Sequence, residues 1–361
     1  MINQDEGAKF CYDNYPVNQL FGVQNEFSTF MATTYQVHDQ RDAEDYNVRL
    51  SKLPTKFAQV LEGLKVREQH RVIPPTFVID KVLAEMTAFV TQPAEQNIFY
   101  TSFQEKLAKL PDLPVATRNQ LLADTKKQLQ TAVYPAYRGL ITYFTAQRPR
   151  STPDAGVWKF PDGAAYYAYC LRQNTTTSLG AREIHALGLR EVARITAEMQ
   201  AILRAQHKAG ADSLEPTMAR LGEEPRFLYP DTDSGRTQIL ADYRRTLDEV
   251  DKGLGPAFRR RPRARLTVER VPEFKQKTSP GAYYNQAALD NSRPGTFYAN
   301  LYDVKATPRF GMRTLAYHED IPGHHFQLDI AQELTGLPTF RQVIPFTAYV
   351  EGWALCAEHL A

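Results

Sequence analysis

The chain has 361 residues, 43% of them hydrophobic, 23% charged and 11% aromatic, a globular composition that excludes disordered, collagenous and low-complexity classes. At roughly 150 residues per domain, it is long enough for two domains and a sizeable core. Lys and Arg number 43 against 41 Asp and Glu, so the formal net charge of +2 offers no field for nucleic acid or an anionic membrane.

No apolar run approaches the roughly 18 residues of a spanning helix, so no transmembrane segment is expected. The start, Met1-Ile-Asn-Gln-Asp-Glu6, lacks the basic and apolar regions of a signal peptide. Cys11, Cys170 and Cys356 are far apart, odd in number and without CxxC spacing, and read as small buried hydrophobes.

Most of the chain reads as helix. Asp42 to Leu64 places Tyr46, Val48, Leu50, Leu53, Phe57, Val60, Leu61 and Leu64 at mostly helical spacing, with Pro54 expected to kink or split it. A second helix begins near Thr76 after Pro74-Pro75. Pro114 to Phe144 is a long candidate with a kink expected at Pro135. Ser178 is read as the N-cap of a helix running to about His207, with Ile184, Leu187, Leu189, Val192, Ile195, Met199 and Ile202 on its apolar side. Thr237 to Val250 is a further short helix.

Two stretches break the helical habit. Arg265–Val271 alternates like a strand, and Gly295–Tyr302 is rich in strand formers. The turn formers Pro280, Gly281, Asn285, Asn291 and Pro294 lie between them. The expected fold is therefore mainly α, with a small antiparallel β-sheet near 264–303. Residues 1–145 form an N-terminal helical region, and 146–361 a region that carries the chemistry. The last residues, Glu351 to Ala361, read as a helix without a stop signal, so the chain is expected to be a piece of a longer protein. Nothing in the sequence sets the oligomeric state.

Five arginines between Arg259 and Arg265 read as a solvated strand entry rather than an anion site, given the balanced charge. There is no GxSxG and no P-loop, and Gly253-Leu-Gly255 runs into Pro256 instead of a third glycine. No histidine follows a Glu by three residues, which excludes a helical di-iron carboxylate site. His38, His70, His185 and His207 stand singly among polar neighbours and read as surface or locally hydrogen-bonded residues rather than ligands.

His318-Glu-Asp-Ile-Pro-Gly-His324-His325 is different. An acid directly after one histidine, with two further imidazoles soon after, is the donor set of a helical zinc hydrolase. In HExxH the histidines are four apart and share one helix face. Here the fourth position is Pro322. On a straight helix His324 would lie roughly 240° round from His318, and His325 about 10.5 Å along the axis. A regular helix fails in both cases. Pro322 removes a backbone donor and clashes one turn back, Ile321 before it is pushed out of the helical region, and Gly323 is free to turn. Asp320 to Gly323 should therefore bulge, so that the helix restarts with His324 where the second histidine of HExxH would lie. His325 is either the true second ligand or a group behind the ligands.

A catalytic zinc takes three protein ligands and leaves a position open. Glu351, a lone carboxylate on the otherwise apolar stretch Tyr349-Val-Glu-Gly-Trp-Ala-Leu355, is the candidate third ligand. Glu358, seven residues on and on nearly the same face, is either an acceptor for a ligand histidine or an exposed carboxylate. Glu319, beside a ligand, is placed to act as general base.

His-Glu-Asp-Ile-Pro-Gly-His-His-Phe-Gln327 followed by Glu351-Gly-Trp-Ala354 resembles the bacterial domain of unknown function 885 family, whose pattern is HExxPGHHxQ with a downstream EGWA. The likeness extends through Ala282–Asn285, Ser292–Tyr298, Asp162–Tyr167 and Thr175–Thr177, and covers most of residues 40–361. Asp320 stands where that family often has Ala. The resemblance implies a mostly helical zincin-like (gluzincin) architecture, a zinc peptidase and, for many members, export as lipoproteins.

The expected chemistry is hydrolysis of a peptide substrate with Zn²⁺ on His318, His324 and Glu351. The strand Gly295–Tyr302, with Tyr298 and Asn300, would bind that peptide as an added strand. The alternative is a helical binding scaffold whose metal site is structural or vestigial.

Overall fold

A computed structural model describes residues 6–206, 213–277, 279–343 and 346–360. His207 lies outside the described residues, so its reading is not taken further. The chain divides into two compact units, Met1–Tyr169 and Cys170–Ala361, so the first extends past residue 145.

The first unit is helical. Helix α1 (Gln40–Gln69) runs unbroken through Pro54. That proline is on the exposed face, so its ring stays clear of the packed side chains. Its buried residues Ala43, Tyr46, Leu50, Leu53 and Phe57 recur every three or four positions. They meet α2 (Thr76–Thr91), α3 (Ile98–Ala108), α4 (Val115–Gln128) and α5 (Tyr134–Gln147) around one apolar core. Tyr46 stacks on Phe103 at 4.2 Å, and its hydroxyl donates to the Phe99 carbonyl at 2.8 Å. Pro135 stands in the first turn of α5, and a π-helical turn, Leu129–Val133, joins α4 to α5 just before it. A wider turn there accommodates a residue that cannot donate to the preceding one.

In the second unit, α6 (Ala181–Ala205) starts two residues later than Ser178 as N-cap would place it. Gly180 is the cap, and its N–H donates to the Glu183 carboxylate at 2.8 Å, which closes the first turn from within. The apolar row expected to be its packing face is open to solvent instead, with Leu189 60% and Val192 63% exposed among the described residues. After α7 (Asp233–Gly253) come β1 (Leu266–Arg270), β2 (Ala282–Asn285) and β3 (Gly295–Ala299).

The sheet order is β1-β3-β2, with β3 parallel to β1 and antiparallel to β2. The sheet is therefore mixed, not antiparallel. Asn285 ends a strand in place of making a turn. The aromatic pair Tyr283-Tyr284 favours extended backbone between the Pro280-Gly281 and Asn291–Pro294 turns, and it fills the third position.

One face of the sheet packs on α7 and on α8 (Arg309–Glu319) through Tyr243, Leu247, Phe297, Met312 and Ala316. Tyr243 meets Phe297 edge-on at 4.9 Å. Helices α9 (His324–Gln332) and α10 (Thr347–Leu360) complete the unit. Among the described residues no helix is long and apolar enough to cross a membrane. Cys11 and Cys356 are exposed and Cys170 half-buried, which corrects their reading as core residues. The arginine run is held by acids: Arg260 and Arg263 pair with Glu333, and Arg261 with Asp251.

Candidate metal centre

The helix carrying His318 stops at Glu319, and the next begins at His324, with Asp320–Gly323 folded between them. Three contacts fix this loop. Asp320 N–H closes the last turn on the Ala316 carbonyl at 3.0 Å, and Phe326 N–H returns to the Asp320 carbonyl at 3.1 Å. Gly323 lies so close against the end of α8 that a Cβ there would fall on the carbonyl oxygens of His318 and Tyr317. Gly323 is needed for this close approach; its φ is an ordinary −77°.

The loop sets the rings of His318 and His324 4.7 Å apart and nearly perpendicular. From α10, the Glu351 carboxylate lies 3.4 Å from His318 Nε2 and 3.8 Å from His324 Nε2. One donor atom from each of the three residues lies within 4.8 Å of the others. Zinc ligands about 2.0–2.1 Å from the ion at tetrahedral angles are about 3.3 Å apart, so this trio is near the spacing that a tetrahedral ion requires. Glu351 is on an exposed side of α10, its side chain 51% accessible. Its place in the trio therefore follows from helix docking and not from burial among apolar neighbours.

The ring nitrogens are prepared for this role. Glu358 Oε1 lies 2.6 Å from His318 Nδ1, so a proton on Nδ1 is held by the carboxylate, and the Nε2 lone pair faces the trio. His324 is pushed down to about 4, first by burial and then by His318, so its imidazole is neutral across the physiological range. Its Nδ1 is buried without a hydrogen-bond partner in the described structure.

Glu319 is buried and accepts the backbone N–H of Tyr284. Burial pushes its carboxyl up to about 7, against the opposing pull of His318 and of that N–H. Asp320 is wholly buried, neither of its oxygens has a partner among the described residues, and burial raises its pKa well above the usual carboxylate range.

His325 points elsewhere. Its Nδ1 lies 2.5 Å from Asp329 Oδ2 and 2.9 Å from the Tyr284 hydroxyl oxygen, and that hydroxyl donates to Asp329 at 2.9 Å. His325 thus belongs to a buried group linking α9 to β2, outside the trio. Gly295 faces this group, since a Cβ on it would meet Tyr284 Oη and His325 Nδ1. Tyr284 and Asp329 were not identified from sequence. The i, i+4 spacing of His325 and Asp329 on one helix was the available signal.

The strand expected to receive a peptide cannot do so. β3 is the middle strand and has a neighbour on each side. Asn300 spends its amide on the carbonyls of Gln276, Ser279 and Pro280, and Tyr298 stacks on Tyr283 at 5.1 Å. The strand beside the trio is β2, an edge strand that touches α8 and whose Tyr284 N–H already reaches Glu319.

The sequence pattern of a family described as bacterial protein of unknown function (DUF885) matches residues 1–361. The chain belongs to this family. The match reaches into the first forty residues, beyond the motifs that carry the resemblance. A solved structure described as a putative lipoprotein from Colwellia psychrerythraea is similar, with a TM-score of 0.93 and 33% sequence identity. The similarity covers 96% of this chain and 59% of that one, so the DUF885 chain described here spans little more than half the length of its structural relative. No curated protein matches it.

Proposed function

We propose that this DUF885 chain carries the metal centre of a zinc-dependent hydrolase, a peptidase of the gluzincin kind, with His318, His324 and Glu351 as ligands. The convergence of three donors from three helices, two of them imidazoles whose Nε2 atoms face the Glu351 carboxylate, supports this reading most directly. When bound, zinc polarises a scissile carbonyl and lowers the pKa of water.

The chain's own residues would supply the rest. Glu319 adjoins a ligand, is shielded from solvent, and titrates near the range where a general base is most effective. Its carboxylate would take the proton of the attacking water and return it to the leaving amine nitrogen. Glu358 would hold His318 in the required tautomer. Outward main-chain groups of β2 other than the Tyr284 N–H, which Glu319 takes, would align an extended peptide, because alternate residues of an edge strand turn their N–H and C=O away from the sheet.

The test is metal analysis and peptide hydrolysis by the wild-type chain beside Glu319→Gln. The expected result is one zinc in each protein, with turnover reduced about 10²–10⁴-fold in the variant. Equal turnover in the two proteins, or a closed site with four protein ligands, would reject hydrolysis in favour of a metal-stabilised scaffold.

A further inference from the structure

We infer that Trp353 is a positioning residue of the metal centre: its indole N–H sets the rotation of α10 and so aims Glu351 at the two histidines. The inference rests on the metal-centre reading above and adds a residue that touches neither ligand nor substrate.

Ala354 and Ala357 are the buried residues of α10. At about 100° per residue, Glu351 lies about 60° to one side of Ala354 and Trp353 about 100° to the other. Glu358 is seven residues from Glu351 and so shares its flank. The helix is therefore gripped on both flanks of a narrow, small-residue contact. On one flank Glu358 holds His318 Nδ1 at 2.6 Å. On the other, Trp353 Nε1–H donates to the Pro322 carbonyl at 2.6 Å.

Two alanines alone give little resistance to rolling, because small side chains interlock weakly with a neighbouring helix. A roll of about 20° would move a carboxylate roughly 6 Å from the axis by roughly 2 Å, about the full length of a zinc–ligand bond. The hydrogen bond opposite Glu351 opposes that roll.

The acceptor is also informative. Pro322 lies inside the Asp320–Gly323 loop, which alone brings His324 beside His318. Trp353 thus ties the helix of the third ligand directly to the segment that sets the spacing of the first two. Phe258 and Phe326 flank this region, with Phe258 6.2 Å from the Trp353 ring and 4.9 Å from Phe326. Gln327 Nε2–H donates to the Tyr349 carbonyl at 2.8 Å and fixes α10 along its axis, leaving rotation to Trp353 and Glu358.

Trp353→Phe keeps an aromatic ring and removes the donor. Replacement of Trp353 by benzothienylalanine, which carries sulfur in place of the indole N–H, keeps the ring shape and excludes a packing defect. Each protein is titrated with Co²⁺ and Zn²⁺, and the visible Co²⁺ spectrum reports the ligand geometry. Both substitutions are expected to weaken metal affinity about 10–100-fold, the usual effect of losing a group that orients a ligand, and to alter the Co²⁺ spectrum, while the metal-free chain melts as wild type does. Wild-type affinity and spectrum in the benzothienylalanine protein would overturn the inference and leave the metal centre standing. Failure of the wild-type chain to bind either ion would overturn both.

Discussion

Glu319 and His324 are displaced in opposite directions, and the consequence is measurable without any metal. Glu319 keeps its proton in the folded chain up to about pH 7, where the unfolded chain has already released it near 4.5, so its contribution to stability is lost as pH rises through that window. His324 stays neutral in the folded chain down to about pH 4, whereas the unfolded chain takes up a proton near 6.5, so its contribution is lost as pH falls. The two effects oppose each other between about pH 4.5 and 6.5. Glu319→Gln removes one of them. In urea denaturation of the metal-free chain, the variant should gain on wild type as pH rises from 5 to 7.5, by a total on the order of 3 kcal/mol. A difference independent of pH would mean that Glu319 is not held in a desolvated position. At this scale the sequence was informative wherever chemistry dictates residue type. Two histidines and an acid in one segment, with a carboxylate downstream, suffice to nominate a metal centre, and the nominated atoms lie together. Burial was less legible: Glu351 is exposed, and the three cysteines are not core residues.

The loop between α8 and α9 turns a proline-broken helix into a histidine pair, and its tightest point is Gly323. Gly323→Ala places a methyl group on two carbonyl oxygens of the preceding helix, so the loop must open. The expected outcome is a loss of metal affinity of at least tenfold, with a lower melting temperature in the metal-free chain. Isothermal titration and a thermal melt of the same sample read both effects, and unchanged zinc affinity would show that the loop does not set the histidine spacing. The interruption of this helix was legible because Pro322 leaves the backbone no alternative. The sheet was harder to read. Parallel pairing of β1 with β3, with β2 added on the far side of β3, depends on contacts remote in sequence, and a four-residue strand between turn signals gives little periodicity. Tyr298 and Asn300 were assigned to substrate on the premise of a free edge, and that premise fails because β3 is central.

Across the whole chain, each unit has its own apolar cluster: one is built around Tyr46, Phe57, Phe103 and Tyr137, and the other around Tyr243, Phe297 and Ala316. All three proposed ligands belong to the second unit. Leu50→Ala, which empties a fully buried position in the first, should cost about 2–5 kcal/mol of that unit's stability and leave zinc affinity within twofold of wild type. Chemical denaturation followed alongside zinc titration checks both halves of that statement. The mainly helical class was evident from apolar spacing, since five segments repeat it. The exposed apolar row of α6 was not, because periodicity reveals an apolar face without revealing what covers it. That His318, His324 and Glu351 hold one ion can be read by zinc-edge X-ray absorption of the wild-type chain beside Glu351→Gln. The expected result is one zinc per chain, with nitrogen and oxygen neighbours at about 2.0–2.1 Å including two imidazoles, and an altered coordination shell with weakened binding in the variant. An identical zinc spectrum and affinity in Glu351→Gln, or no zinc bound by the wild-type chain, would contradict it.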